Sequence, residues 1–365
     1  MRYKAGWEET RDHFRAFWAN RSIGRPLLEI RARREKPLEE LDPEPPPADP
    51  QAKYTDIRQS VIRERNRCRD HVLMAEAFPF VDLYMVPCAM ALFMGCEPVF
   101  EWETSWHRPC VTGGWREFGS LRHDPANAWW KRHLELLQQA KAMAGDDILI
   151  SIPDLLENVD VLSLMRGVQE FCFDLIDEPD LIRDRIRQLD ELYVLYNDAL
   201  YAAVRDADGG SCSVVFNLWS PGRIGKLQCD FSAMMSPDQF REFVVPSIRR
   251  LVPRFDNAFY HLDGKDCIKH IDAILDIEAI RVIQWTPGAG QAGALDERWY
   301  PLFDRIRAAG RGLWLRATGD KLAEIVGRAA NLIRRYGSGG IFLRFPEMSE
   351  SEGEALIETA ARDWK

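Results

Sequence analysis

Residues 258–264, which read AFYHLDG, place a tyrosine, a histidine and an aspartate at the end of an apolar run. Side chains two apart on a strand point to the same side, so His261 and Asp263 face one way and Tyr260 faces the other. An imidazole and a carboxylate on one side can share a metal ion or a proton. A buried His–Asp hydrogen bond that ties a strand to its loop is the alternative, and the residues alone leave both open.

Arginines and tryptophans end other apolar runs. Arg316 and Arg344 finish GLWLR and GIFLR, and a guanidinium fork suits a carboxylate or phosphate. A bridge between neighbouring acidic loops is the alternative role for each arginine. Trp219 and Trp285 are two of the twelve tryptophans, and such aromatic walls bind flat rings, sugar faces or methylated ammonium groups. Packing is the alternative role for several of the tryptophans.

The composition limits the classes of partner. The 365 residues are 46% hydrophobic and include 48 Lys plus Arg against 57 Asp plus Glu, a formal net charge of -9. Such a chain repels nucleic acid and anionic membranes, so we expect a small-molecule substrate. No stretch is typical of a signal peptide or a membrane span, which favours a cytoplasmic location. The eight cysteines form no CxxC pair, so we expect reduced core residues.

Short apolar runs alternate with helical patterns along most of the chain. Residues 1–24 predict an N-terminal helical extension, and about residues 91–130 form a tryptophan-rich insertion without clear period. Eight apolar runs are continuous rather than alternating, which is typical of strands buried on both faces of a parallel sheet. We therefore predict an α/β protein with one (β/α)8 TIM barrel domain over residues 1–365. An open doubly wound sheet is the alternative, although no GxGxxG follows the first strand.

In a (β/α)8 barrel the active site lies at the carboxyl ends of the strands, so residues that finish a strand or begin the next loop become candidates. We predict that four residues have catalytic roles, namely His261, Asp263, Asp154 and Tyr260. We predict that seven residues bind substrate, namely Arg31, Asn158, Trp219, Gln284, Trp285, Arg316 and Arg344.

Two segments resemble a known family. LQCDFSAMMSPDQFREFVVPSIRRL, followed by FYHLDG, resembles the uroporphyrinogen decarboxylase superfamily, in which an aspartate-led loop with an MSPxxF motif precedes a strand ending in His and Gly. SIPDLLENVDVLSLMRGVQEFCFDLIDEPDLI is similar to the segment after that family's third strand. The resemblance covers about residues 147–344 and implies a (β/α)8 barrel. The family includes porphyrinogen decarboxylases and zinc-dependent methyltransferases that move methyl groups among methylated donors, corrinoid proteins and thiols.

The chain departs from both branches of the family. EIRARREKP replaces the RQAGR loop of the decarboxylases, and their histidine-bearing loop after the last strand is absent, which disfavours tetrapyrrole decarboxylation. HLDG stands where the zinc methyltransferases have HxCG, and LRFPEM lacks their later cysteine. His261 is therefore retained, while both thiolates are missing.

The remaining residues suggest a different ligand set. Cys229, in the loop after the fourth predicted strand, is a candidate third ligand beside His261 and Asp263. A Cys, His and Asp set suits Zn²⁺ with an open position for substrate.

The resemblance implies a methyltransferase or demethylase component that acts on a small methylated substrate or a methylated corrinoid partner. The corrinoid-binding pattern DxHxxG is absent, so any corrinoid is expected on a separate protein. A decarboxylase or lyase on a small carboxylated substrate and a non-catalytic small-molecule binding barrel are the alternatives.

Overall fold

The computed structural model describes residues 1–365. The strands are β1 (Leu27–Arg33), β2 (His71–Ala75), β3 (Phe80–Val81), β4 (Glu97–Phe100), β5 (Ser105–Arg108), β6 (Leu149–Ile152), β7 (Ser211–Ser213), β8 (Trp219–Ser220), β9 (Ile224–Gln228), β10 (Asn257–Asp263), β11 (Ile280–Thr286), β12 (Gly312–Arg316), β13 (Ile341–Arg344) and β14 (Met348–Ser349).

The α-helices are α1 (Trp7–Trp18), α2 (Pro50–Thr55), α3 (Ile57–Asp70), α4 (Ala89–Phe93), α5 (Trp115–Phe118), α6 (Ala128–Ala144), α7 (Asn158–Arg166), α8 (Val168–Asp177), α9 (Pro179–Val204), α10 (Pro237–Gln239), α11 (Val245–Leu251), α12 (Ile271–Leu275), α13 (Tyr300–Ala308), α14 (Leu322–Tyr336) and α15 (Glu350–Asp363). Single 3₁₀ turns and one π-helical turn complete the helical structure, at Asp230–Met234, Phe240–Val244, Val252–Arg254, Lys265–His270 and Glu297–Trp299. No helix is long and apolar enough to cross a membrane.

Most strands lie in two sheets. The larger sheet has the order β14-β1-β13-β12-β11-β10-β9 and is parallel throughout, with β2 added antiparallel to β1. The smaller sheet has the order β3-β6-β7-β8, in which only β8 is antiparallel to its neighbour. The continuous apolar sequences of β11 and β12 are buried along most of their length, as strands covered on both faces must be. The prediction of an α/β protein with a parallel sheet is confirmed.

Side chains join the two sheets, although no backbone ladder does. At one border, Lys226 of β9 forms an ion pair of 2.6 Å with Asp154, which follows β6. At the other border, Arg31 of β1 donates a hydrogen bond of 3.2 Å to the carbonyl oxygen of Phe78, which precedes β3. One hydrophobic cluster of 100 buried residues includes side chains of both sheets. The two sheets are thereby linked both at β9 and at β1.

Helix α1 packs against β8. The Trp18 indole donates a hydrogen bond of 2.8 Å to the carbonyl oxygen of Trp219. The rings of Trp7 and Phe14 lie 5.7 Å and 6.4 Å from the Trp219 ring. This N-terminal helix falls inside the segment that the sequence predicts as a helical extension.

Candidate metal centre and substrate cavities

A cavity of about 470 Å³, called here the main cavity, opens at the carboxyl ends of β10 to β13. His261 and Asp263 of β10, Gln284 of β11, Arg316 of β12 and Arg344 of β13 all line this cavity. These residues converge because parallel strands end at one edge of a sheet, and because alternate residues of β10 point to the same side.

Two carboxylates and one imidazole form a group at the border of this cavity. The groups belong to Asp230, His261 and Asp263, and one ligand atom from each lies within 4.8 Å of the other two. His261 Nε2 is 3.7 Å from Asp263 Oδ2. Asp230 begins the 3₁₀ turn directly after β9, and Gln228 Nε2 donates a hydrogen bond of 2.9 Å to its Oδ2. Oxygen and nitrogen donors at this spacing suit a divalent metal ion.

A hydrogen bond orients the His261 ring. His261 and Gln284 are register partners on β10 and β11, and His261 Nδ1 bonds Gln284 Oε1. Gln284 Nε2 donates a hydrogen bond of 3.0 Å to Thr286 Oγ1, and the amide oxygen faces the imidazole. Nδ1 is therefore the protonated nitrogen, because an amide oxygen only accepts. Nε2 keeps its lone pair on the side of the two carboxylates, as in a histidine that binds a metal.

The electrostatics of the group favour a cation. Desolvation raises the pKa of Asp230, and the nearby carboxylate of Asp263 acts in the same direction. His261 and Lys226 oppose this shift, but the Lys226 ammonium is already paired with Asp154 at 2.6 Å. Two carboxylates held this close repel each other, and a divalent ion between them relieves that repulsion.

Buried polar groups after β6 hold the Asp230 loop in place. The Asp160 carboxylate accepts hydrogen bonds of 2.9 Å from the backbone N–H groups of Asp230 and Phe231, and burial raises the pKa of Asp160 to about 7. Asn158 Nδ2 donates a hydrogen bond of 3.2 Å to the carbonyl oxygen of Gln228. Asn158 is fully buried and lies outside the main cavity, so its predicted contact with substrate is replaced by a bond to the end of β9.

A second cavity of about 320 Å³, called here the arginine cavity, adjoins the main cavity. The two cavities share Val215, Arg316 and Arg344. Arg31 lines the arginine cavity, and its guanidinium lies 3.2 Å from the Glu64 carboxylate.

The two shared arginines differ in their partners. Arg344 Nε lies 3.4 Å from the Glu29 carboxylate, and Arg344 also donates a hydrogen bond of 3.2 Å to the Val215 carbonyl oxygen. The exposed Arg316 side chain has no hydrogen bond or ion pair with another residue. Arg316 is therefore the free guanidinium on the border between the two cavities.

Two predicted site residues lie on buried faces away from the cavities. Trp219 lies under α1, where its indole donates a hydrogen bond of 3.0 Å to Asp206, because the chain reverses after β7 and carries Trp219 back along β8. Tyr260 is 1% exposed and points to the opposite face of β10 from His261, as the alternation of the strand requires. The predictions of substrate contact for Trp219 and catalysis for Tyr260 are therefore corrected.

Two further predictions change in detail. The Cys229 thiol is buried beside Asp160, burial raises its pKa, and the next residue, Asp230, supplies the third ligand group instead. Asp154 pairs with Lys226 beside a small separate cavity rather than lining the main one. Trp285 does line the main cavity, although it is buried and packs edge-on against Trp299 at 5.0 Å.

Sequence patterns alone did not identify Asp230, the aromatic wall formed by Phe216 and Trp314, or the arginines that α3 contributes to the arginine cavity. The Phe216 ring lies 4.9 Å from the His261 ring and 5.6 Å from the Trp314 ring. A signal for Asp230 was present in the resemblance, because Asp230 is the aspartate that leads the loop with the MSPxxF motif.

Comparisons with known proteins support the fold. No protein-family model matches the chain, and no curated protein sequence matches it. Among solved structures, a methyltransferase from Methanosarcina mazei superposes with a TM-score of 0.63 over 97% of this chain and 98% of that chain, at 13% sequence identity. At this identity the similarity establishes a shared fold and no more.

Proposed function

We propose that the two sheets are arcs of one (β/α)8 barrel of the uroporphyrinogen decarboxylase superfamily. Its strands are β1, β3, β6, a shared fourth position, and β10 to β13. The fourth position is divided between β7, which pairs with β6, and β9, which pairs with β10. The single hydrophobic cluster and the side-chain bonds at both borders support closure.

In this barrel we propose a metal-dependent methyltransferase or demethylase component that acts on a small methylated substrate. The observation that supports this function is the group of Asp230, His261 and Asp263 at the border of a cavity of about 470 Å³. A cavity of this volume suits a small organic molecule. In keeping with the resemblance, we assign the role of methyl acceptor or donor partner to a corrinoid carried on a separate protein.

The residues fit a zinc ion. Three protein ligands of this kind leave a coordination position for substrate, and the bond from His261 to Gln284 is the second-layer contact that zinc-binding histidines make. When bound, a divalent ion at Asp230, His261 and Asp263 supplies a Lewis acid that stabilises the electron pair left on the donor oxygen or nitrogen. A metal-ligand set without thiolate consists of harder Lewis bases than the set of the zinc methyltransferases that this chain resembles. Such a set favours an oxygen-bearing substrate.

The protein's own side chains position the transfer. The methyl group leaves as a CH₃⁺ equivalent: the donor heteroatom keeps the electrons of the broken bond, and the acceptor's lone pair forms the new bond. Phe216 and Trp314 exclude water beside His261, since both rings are buried and line the cavity. Arg316 offers an unpaired guanidinium to an anionic part of the substrate.

Metal analysis tests the centre. The purified protein, dialysed against Zn²⁺ and then freed of excess ion, should hold about one ion per chain by mass spectrometry. Each of three variants should lose the bound ion, namely Asp230→Asn, His261→Ala and Asp263→Ala. Cys229→Ser is the matched control and should keep it, because the thiol lies outside the group. Loss in Cys229→Ser with retention in Asp230→Asn would refute this ligand set.

Activity is tested separately. The zinc-loaded protein is incubated with a panel of O-methyl and N-methyl small molecules and with cob(I)alamin, and methylcobalamin is followed by its absorbance. Transfer that depends on His261 supports the function. Transfer that is equal in His261→Ala would contradict it.

A further inference from the structure

The arginine cavity contains more positive charge than its structural pairs need. Five arginines and only two carboxyl groups line it, and these residues are Arg31, Arg63, Arg67, Arg316, Arg344, Glu64 and Asp82. Glu64 is committed to Arg31 at 3.2 Å. Burial raises the pKa of Asp82 to about 6, and even with both carboxyl groups ionised the five arginines outnumber them. The cavity is therefore cationic even though the whole chain carries a net charge of -9.

Two of these arginines belong to one face of α3. Ser60, Arg63 and Arg67 stand three and four residues apart, the spacing that aligns side chains along one side of a helix, and all three line the cavity. The nearest carboxylates to Arg63 and Arg67 lie at 3.8 Å and 4.0 Å, and the two side chains are more than half exposed. Ion pairs of this kind contribute little, so both guanidiniums are available to a ligand.

A buried amide also lines this cavity. Asn217 is 3% exposed, and its Nδ2 donates to Glu29, while its Oδ1 has no hydrogen-bond partner. A buried oxygen without a donor costs free energy, and a ligand that brings an O–H or N–H group satisfies it. The feature is independent of the arginine charges and points to a ligand that carries an O–H or N–H donor as well as its anionic group.

We propose that the arginine cavity binds an oxyanion, a carboxylate or a phosphate, through Arg63, Arg67 and the free guanidinium of Arg316. The assignment of this anion to the methylated substrate rests on the proposed function. Arg316 lines both cavities, so one molecule can place its anionic end among the α3 arginines and its methylated end beside Asp230, His261 and Asp263. The substrate class is then a small methylated molecule with an anionic group at the opposite end.

Anion binding is measured on the metal-free protein, at constant ionic strength, from the rise of the thermal unfolding midpoint with added inorganic phosphate or acetate. The double variant Arg63→Gln with Arg67→Gln should raise the apparent Kd of the preferred anion by about tenfold or more, as expected for the loss of charge-assisted hydrogen bonds. The matched control is Arg58→Gln, which removes a charge from the opposite, exposed face of α3 and should stay within about twofold of the wild type. The stronger of the two probes distinguishes phosphate from carboxylate.

Two results would overturn the inference: neither anion raises the wild-type midpoint, or the double variant binds as tightly as Arg58→Gln. Both exchanged side chains are largely exposed, so folding is retained. The measurement requires neither metal nor transfer activity, so its failure is distinguishable from failure of the methyltransferase. Once a substrate that undergoes transfer is known, the double variant should raise its KM and leave kcat nearly unchanged. An unchanged KM would show that Arg63 and Arg67 do not bind an anionic group of the substrate.

Discussion

We expect Gln284 to control the metal affinity of the candidate centre, although it is not one of the three proposed ligand residues. Its Oε1 accepts the bond that fixes the His261 ring, and its side chain is 1% exposed. The Gln284→Leu variant keeps nearly the same side-chain volume but lacks the hydrogen-bond acceptor for His261. Loss of such an outer contact lowers metal affinity by 10- to 100-fold, which corresponds to about 1.4 to 2.7 kcal/mol. Gln284→Glu keeps an acceptor oxygen, so its affinity for Zn²⁺ should equal or exceed that of the wild type.

The assay is a competition titration of Zn²⁺ against a chromophoric chelator, with the thermal midpoint of each variant recorded to separate folding from binding. Thr286→Val is the control, because it removes only the bond of 3.0 Å that Gln284 Nε2 donates. Its affinity should stay within about threefold of the wild type, a loss of about 0.7 kcal/mol at most. Equal affinities in Gln284→Leu and the wild type would show that His261 does not depend on this contact, and would refute the orientation argument.

The remaining predictions concern stability. Burial raises the pKa of Glu76, but hydrogen bonds from Arg25, His13 and the Leu28 N–H outweigh it and lower the pKa to about 2. The stability from this carboxylate is therefore full above pH about 4.5 and is lost as the pH falls towards 2. Glu76→Gln should lower the free energy of unfolding by about 3 kcal/mol at pH 7 and flatten its acid dependence, measured by urea titration at several pH values. Gly312→Ala should lower the free energy of unfolding by about 2 kcal/mol, because the new Cβ would lie 2.7 Å from the Gly340 carbonyl oxygen. Gly327→Ala, with open space around its Cβ, should be neutral or stabilising, and equal losses in the two alanine variants would contradict the steric explanation.

The strands β10 to β13 could be predicted from the sequence. Each is a short continuous apolar run, and only a strand covered on both faces needs that composition. His261, Gln284 and Arg316 could therefore be placed at strand ends from the residue pattern alone, and all three line the main cavity.

The fourth strand could not be assigned in this way. The apolar run SVVFNLW, residues 213–219, has the composition of that strand, but only its first residue lies in β7, and the chain then turns back through β8. The partner of β10 is β9, whose sequence IGKLQ lacks a continuous apolar pattern. Gly225 in this strand is required by packing, because a Cβ there would lie 2.4 Å from the Phe255 ring. A contact between residues this far apart in the sequence leaves no local pattern. With the fourth strand placed at SVVFNLW, the residues predicted for the site were Trp219 and Cys229, whereas the group in the structure contains Asp230.

The turn at residues 214–218 separates the two cavities and carries unusual backbone. Val215 and Asn217 have φ angles of 67° and 53°, and for the β-branched Val215 this conformation costs about 1 to 3 kcal/mol. Asp82 accepts a hydrogen bond of 3.0 Å from the Val215 N–H, and Arg344 donates to its carbonyl oxygen, so neighbours on other strands hold the turn in place. Four of its five residues are buried, so this turn lacks the freedom of a surface loop to change length. Among descendants of this chain, the spacing of the two cavities should therefore stay fixed, and the range of substrates should evolve through exchanges of the side chains that line them.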